Sequence, residues 1–316
     1  MKSFLLLLPL IVLLLGSCGK EQHKGSMVIE QVQLLDTLPS GSALTFFEEK
    51  LFIIGDDAPC IFLTDTTVQY IRQLCYPELG ERTQYRTSKQ NKMDLEASSV
   101  VQWEGRPWLL ALGSGTVSPQ REHYLLVRID SPQVYLDGGT GHLYEEIRRQ
   151  NGLAEERWNL EGLVTVGDSL YLLNRGTNEI IITESNTLLR ALTEQSVLPG
   201  HRILKLELPQ IAGKTPKVSG GANGPSGTVL FTASIEDTEV WHQDGEVIGS
   251  GIGALEIATG RLLWFYPLTS GKGVLLTEKL ESLELLDRSD EELRILAIAD
   301  NDDGSSKLFW IRVALP

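Results

Sequence analysis

The chain has 316 residues, long enough to bury a sizeable core, and carries 42 Asp and Glu against 28 Lys and Arg for a formal net charge of -14. The charges are spread along the chain rather than gathered in a tail. Nucleic-acid binding depends on Lys and Arg neutralising phosphates, so this balance argues against DNA or RNA partners and weakly for cationic ones.

Lys2 is followed by an apolar run from Phe4 to Leu15 and then by Leu15-Gly16-Ser17-Cys18. The run is too short to span a bilayer and ends in a cleavage signal, so residues 1–17 read as a signal peptide. A Cys placed directly after two small residues resembles the lipobox of bacterial lipoproteins, whose thiol receives a diacylglycerol. That resemblance implies lipidation of Cys18 and attachment to a membrane. The polar stretch Gly19 to Ser26 suits a tether, giving residues 18–26 as anchored linker and 27–316 as the folded domain. The expected location is the cell envelope, on the periplasmic face or the cell surface.

Cys60 and Cys75 then share a compartment in which disulfides persist. They flank two short runs around Thr64-Asp65-Thr66-Thr67. A tight turn centred on Asp65 and Thr66 would set Cys60 opposite a residue near Arg72, so bridged and free thiols both stay open. Neither Cys sits in a C-x-x-C or a Cys/His cluster, and zinc or redox catalysis is not indicated.

Few segments have helical period, and many short runs of Val, Ile, Leu, Trp, Tyr and Phe are separated by Gly, Asp, Asn and Ser, the texture of an all-β protein. From Ser40 a small-polar start leads into a run, a turn, a second run at Lys50 to Ile54 and a knot at Gly55-Asp56-Asp57. The order returns at Asp94-Leu95-Glu96-Ala97 with Trp108 to Leu112, and at Asn159-Leu160-Glu161-Gly162 with Leu170 to Leu173 and Asn174-Arg175-Gly176. It recurs at Val218-Ser219-Gly220-Gly221 with Val229 to Thr232 and Ser234 to Asp237, and at Leu280-Glu281-Ser282-Leu283 with Leu293 to Ile298 and Asp300-Asn301-Asp302-Asp303. Starts roughly sixty residues apart, with three or four strands each, predict a β-propeller of five blades.

The stretch Ser131 to Arg157 leaves room for a sixth blade, but Gly141 to Gly152 reads as a short helix with a Gly stop, hence an insertion. The alternating segment Met27 to Leu35 has no blade of its own and is expected to supply the outer strand of the last blade, closing the ring. Trp103, Trp108 and Trp158 are expected to pack between blades. Gly167-Asp168-Ser169-Leu170 reads as a hairpin turn and not as a nucleophile motif, and Gly249-Ser-Gly-Ile-Gly253 likewise reads as a turn.

In a propeller the first strand of each blade lines the central channel. Glu96, Glu161 and Glu281 hold the same place in three repeats, with Gly41 or Ser42 and Ser219 or Gly220 in the other two. Carboxylates facing one channel require a hard cation such as Ca2+, raised pKa values, or Lys and Arg partners. Asp300 and Asp302 extend the candidate metal set, and Asp56, Asn174, Arg175 and Glu236 from the knots are candidate ligand-binding residues. Lys92 and Arg175 compete for the cation's role. A purely structural alternative is that each Glu pins its strand through backbone hydrogen bonds.

The starts Leu-Glu-Ala, Leu-Glu-Gly and Leu-Glu-Ser, the segment Gly167 to Gly176 and the knot Ala299 to Asp302 resemble secreted propellers of the phytase-like esterase group. From about residue 30 onward the chain is more similar to an uncharacterised family of lipoprotein propellers, with Thr232 to Thr238 and Asp244 to Ser250 fitting it. The resemblance implies the propeller fold. Lactonase-type propeller hydrolases place a His beside calcium, whereas His123, His142, His201 and His242 fall at no blade start or knot. Two functions follow: a membrane-anchored binding or scaffold protein, or a calcium-dependent esterase or phosphoesterase in which Arg175 clamps the anion.

Overall fold

The computed structural model describes residues 25–69, 71–76, 86–132, 135–238, 245–301 and 303–316. The expected signal peptide, Cys18 and most of the tether lie outside the described residues, as does Asp302.

Among the described residues twenty strands form five antiparallel sheets of four. Strand β1 (Ser26–Leu35) precedes the first blade, β2 (Gly41–Phe47), β3 (Lys50–Gly55), β4 (Cys60–Thr64) and β5 (Arg72–Cys75). The second comprises β6 (Leu95–Trp103), β7 (Arg106–Gly113), β8 (His123–Arg128) and β9 (Tyr135–Gly139). Helix α1 (Gly141–Asn151) leads to the third, β10 (Leu160–Val166), β11 (Ser169–Asn174) and β12 (Glu179–Glu184), with helix α2 (Ser185–Thr193) before β13 (Arg202–Lys205). The fourth is β14 (Lys217–Asn223), β15 (Thr228–Asp237), β16 (Glu246–Glu256) and β17 (Leu262–Pro267). The fifth is β18 (Lys279–Arg288), β19 (Glu292–Asp300) and β20 (Ser306–Ala314), completed by β1.

The first strands β2, β6, β10, β14 and β18 contact one another in sequence, and β18 returns to β2, so the blades form a closed five-membered ring. The ring needs β1. It pairs antiparallel with β20 from Ser26 opposite Ala314 to Leu35 opposite Ser306, removing the edge that blade five would otherwise expose. A hydroxyl fastens the seam: Ser306 Oγ donates to the Leu38 carbonyl at 2.8 Å and accepts the Gly41 amide at 2.9 Å.

Five buried apolar clusters fill the five junctions between blades. Strand β3 shows how period-2 alternation produces this: Leu51 and Ile53 face Leu296, Ile298 and Leu308 of blade five, while Phe52 and Ile54 face Leu95, Leu109 and Leu125 of blade two. Because both faces are covered, the inner strands read as continuous apolar runs. Trp108 and Trp158 lie in the junction of blades two and three, where the Trp158 ring sits 4.9 Å from that of Tyr144. Removing one fully buried aliphatic side chain such as Ile53 would cost about 2–5 kcal/mol.

Helix α1 ends as the sequence predicts, with Gly152 in the left-handed conformation, and it is an insertion rather than a sixth blade. One reading is corrected and one element is new. The segment Gly249 to Gly253 is not a turn but the middle of β16, where a Cβ on Gly251 or Gly253 would collide with the Phe265 and Phe231 rings, which stack on each other. Helix α2 was not anticipated; it follows β12 without a loop and buries Leu188, Leu189 and Leu192.

The cysteine pairing, left open by the sequence, is resolved by a connection wider than a tight turn. Asp65 Oδ1 accepts hydrogen bonds from the amides of Thr67 at 2.9 Å and Val68 at 3.1 Å, and Leu63 is the last ladder partner, opposite Arg72. Cys60 then stands opposite Cys75, and the two are joined. Among the described residues no helix is long and apolar enough to cross a membrane.

Candidate functional site

Each first strand carries the same irregularity near its start. The ladder with the second strand skips one residue between Gly41 and Ala43, Leu95 and Ala97, Leu160 and Gly162, Val218 and Gly220, and Leu280 and Ser282. The skipped residues are Ser42, Glu96, Glu161, Ser219 and Glu281. A bulge releases its residue from the alternation of the strand and re-aims its side chain. Four of the five, Ser42 and the three glutamates, line one cavity of about 860 Å³ at the end of the ring where the first strands begin. In the blade-four bulge, Ser219 Oγ instead bonds the Leu280 carbonyl at 2.5 Å, tying blade four to blade five.

The glutamates meet basic side chains here. Lys92 joins Asp56 to Asp94, whose Oδ1 is 2.6 Å from its Nζ. Arg121 reaches Asp94 Oδ2 at 3.1 Å and Thr116 Oγ1 at 2.8 Å. Arg175 bonds Glu236 at 2.7 Å and Ser234 Oγ at 2.9 Å, with its Nε 3.9 Å from Glu161. Lys279 lies 2.9 Å from Glu281 and 3.3 Å from Glu236. At the rim Arg86 pairs with Asp57 at 2.6 Å. Asp300 also lines the cavity.

The ion pairing of the inner wall is nevertheless uneven. Arg86, Lys89, Lys214 and Lys217 also line the cavity, but among the described residues Glu96 has no ion pair and Glu161 has only the Arg175 Nε at 3.9 Å. The imbalance shows in the proton affinities. Burial, reinforced by Asp94 and Glu161, holds the Glu96 carboxyl well above the usual range. Burial also pushes Glu161 up to about 8 although Arg175 pulls it down, and raises Glu281 against Lys279 and Arg175. Burial would lower Lys92, but the charges of Asp56, Asp94 and Glu96 outweigh it and hold the ammonium protonated. Carboxylate oxygens of Asp56, Asp94 and Glu96 all lie within 4.8 Å of one another, the tightest acidic group among the described residues. Asp56 Oδ1 and Glu281 Oε2 are buried without a hydrogen bond.

The expected ligand residue Asn174 belongs to the scaffold. Its side chain accepts the Asn159 amide at 2.8 Å and donates to the Arg157 carbonyl at 3.0 Å and Thr177 Oγ1 at 2.8 Å, fixing the turn that presents Arg175. Glu236, Asp56 and Arg175 do line the cavity. Asp94, Arg121 and Lys279 were missed. Asp94 and Lys279 stand two residues before a bulge glutamate, a spacing readable in both repeats, whereas Arg121 arrives from a loop that no repeat marks.

A five-bladed propeller with a mixed-charge, acid-rich cavity at one mouth is the class that fold and site define. The chain belongs to the family of unknown function DUF6929, whose model matches residues 37–313. No curated protein matches it in sequence. Among solved structures it is similar to glutaminyl cyclase from Myxococcus xanthus, with 11% identity, 92% of this chain and 97% of that one covered, and a TM-score of 0.48. It is also similar to the PQQ-bound aldose sugar dehydrogenase from Streptomyces coelicolor (12%, 92% and 98%, 0.42) and to the WD40 propeller domain of Doa1 (10%, 90% and 96%, 0.38).

Proposed function

We propose that the protein is a lipid-anchored binding propeller of the cell envelope, held at a membrane through Cys18, whose acid-rich cavity captures a small cation, Ca2+ foremost. The observation that carries this reading is that Glu96 has no ion pair among the described residues and Glu161 only a distant one. A cation arriving there replaces protons that the two carboxyls otherwise retain. All the donors are oxygens, which suits a hard cation, and the unbonded oxygens of Asp56 and Glu281 add to the set. Lys92 already lies between Asp56 and Asp94, so Glu96 and Glu161 are the residues left to take the added charge. The Cys60–Cys75 bridge supports export to an oxidising compartment.

The hydrolase alternative loses its anion clamp, because Arg175 is already bonded to Glu236 and Ser234. Calorimetry with CaCl2 on the wild type and on Glu161→Gln tests the proposal. Micromolar binding that the substitution abolishes is the expected result; absence of binding at millimolar Ca2+ overturns it.

A further inference from the structure

The ring carries a distinct cavity at each mouth. Midway down, Gly162 and Gly220 bring β10, β14 and β18 together so closely that a Cβ on Gly220 would collide with the Glu281 carbonyl. Beyond this neck a separate cavity of about 340 Å³ opens at the opposite mouth, lined by the far ends of all five first strands. Its chemistry differs from that of the acid-rich cavity. The lining includes Glu284 of β18 and, on the exposed turn after β10, Asp168, but no Lys, Arg or His among the described residues. No basic side chain of the lining neutralises Glu284, which takes the backbone amides of Phe46 and Leu285, and Phe46 and Phe47 of β2 line the same cavity. Hydroxyls brace the wall: Ser99 Oγ and Thr165 Oγ1 are 2.9 Å apart and the Thr165 amide donates to Ser99 Oγ at 3.1 Å, tying blade two to blade three.

We propose that this lower mouth is a second binding site, which takes a monocationic amine with a short apolar arm, the ammonium on Glu284 and the arm against Phe46 and Phe47. A half-buried carboxyl with no counter-cation in a braced cavity favours an occupant that brings the missing charge. The volume is at the small end of the range for ligand pockets, and the hydroxyl bracing means little reorganisation on binding. Burial pushes Glu284 up to about 8, against the backbone amides of Phe46 and Leu285 that pull it down. The free site therefore holds a proton at neutral pH, and the ammonium binds as that proton leaves. Affinity climbs about tenfold per pH unit from pH 6 toward 8 and then levels.

The test is calorimetry with phenethylamine at pH 6.0, 7.0 and 8.5, in buffers of different ionisation heat, on the wild type, Glu284→Gln and Glu161→Gln. We expect binding at pH 8.5 that weakens at least thirtyfold at pH 6.0 and releases close to one proton at the lower pH. It should vanish in Glu284→Gln and persist in Glu161→Gln, which alters only the other mouth. Absence of binding at pH 8.5, or equal binding by wild type and a folded Glu284→Gln, overturns the proposal. A Ca2+ result at the other cavity bears on neither outcome.

Discussion

Replacing Glu284 with Gln isolates the cost of half-burying one carboxyl without a counter-charge. Its value of about 8 in the folded protein compares with an ordinary 4.5. The folded-state value is the higher one, so folding holds a proton that unfolding releases. The contribution of this carboxyl to stability is therefore most favourable below about pH 4.5, falls as the pH climbs from there toward 8, and levels above. At pH 7 the unfolded chain has ionised through about 2.5 units while the folded one is still mostly protonated, a penalty of about 3 kcal/mol that approaches 5 kcal/mol by pH 9. Glu284→Gln keeps a carbonyl oxygen for the amides of Phe46 and Leu285 but does not titrate. Guanidinium denaturation of both proteins at pH 4, 5.5, 7 and 9 should give a stability difference near its baseline at pH 4 that grows in favour of the variant with pH. Parallel curves would refute the reasoning, because they would mean that Glu284 ionises in the folded protein as freely as in water.

Lys92→Met leaves Asp56 and Asp94 facing each other without their shared ammonium, and breaking such a buried pair costs about 3–5 kcal/mol at neutral pH; denaturant midpoints measure it, and a loss under 1 kcal/mol would contradict the role assigned to Lys92. Cys60→Ser with Cys75→Ser opens a loop of 15 residues and should lower stability by about 3 kcal/mol, visible as an equal drop when the wild type is unfolded in the presence of reductant.

The blades were legible because their inner strands are covered on both faces, so each appears as an unbroken apolar run punctuated by Gly and Asp at a fixed spacing. Met27 to Leu35 was legible for a related reason: it alternates and had no partner of its own. Helix α2 was not, since it continues straight from β12 and its Leu188, Leu189 and Leu192 resemble another short strand in isolation. The cysteine bridge was obscured by the length of its connection, which shifts the register away from the tight-turn expectation. At the candidate site the repeat marked Glu96, Glu161 and Glu281, but a pattern of residue types does not reveal a bulge, and so Ser42 and Ser219 could not be chosen over their glycine neighbours. Lys92 and Arg175 were named as rivals of a metal from their sequence neighbourhood. Their pairing geometry, and the contribution of Arg121, depend on contacts between blades.

The bulge at the head of every first strand has a consequence for how this surface can diversify. A residue left out of the hydrogen-bonded ladder can be exchanged without shifting the register of its blade, and the ring presents five such positions around one axis. Ser42, Glu96, Glu161 and Glu281 thus form a dial of interchangeable side chains on a frame whose stability resides elsewhere, in the junctions between blades, while Ser219 at the fifth bulge is held to the Leu280 carbonyl and belongs to that frame. The chemistry of this mouth can be rewritten one blade at a time, and a laboratory library confined to the four cavity-facing positions would vary it while leaving the fold intact.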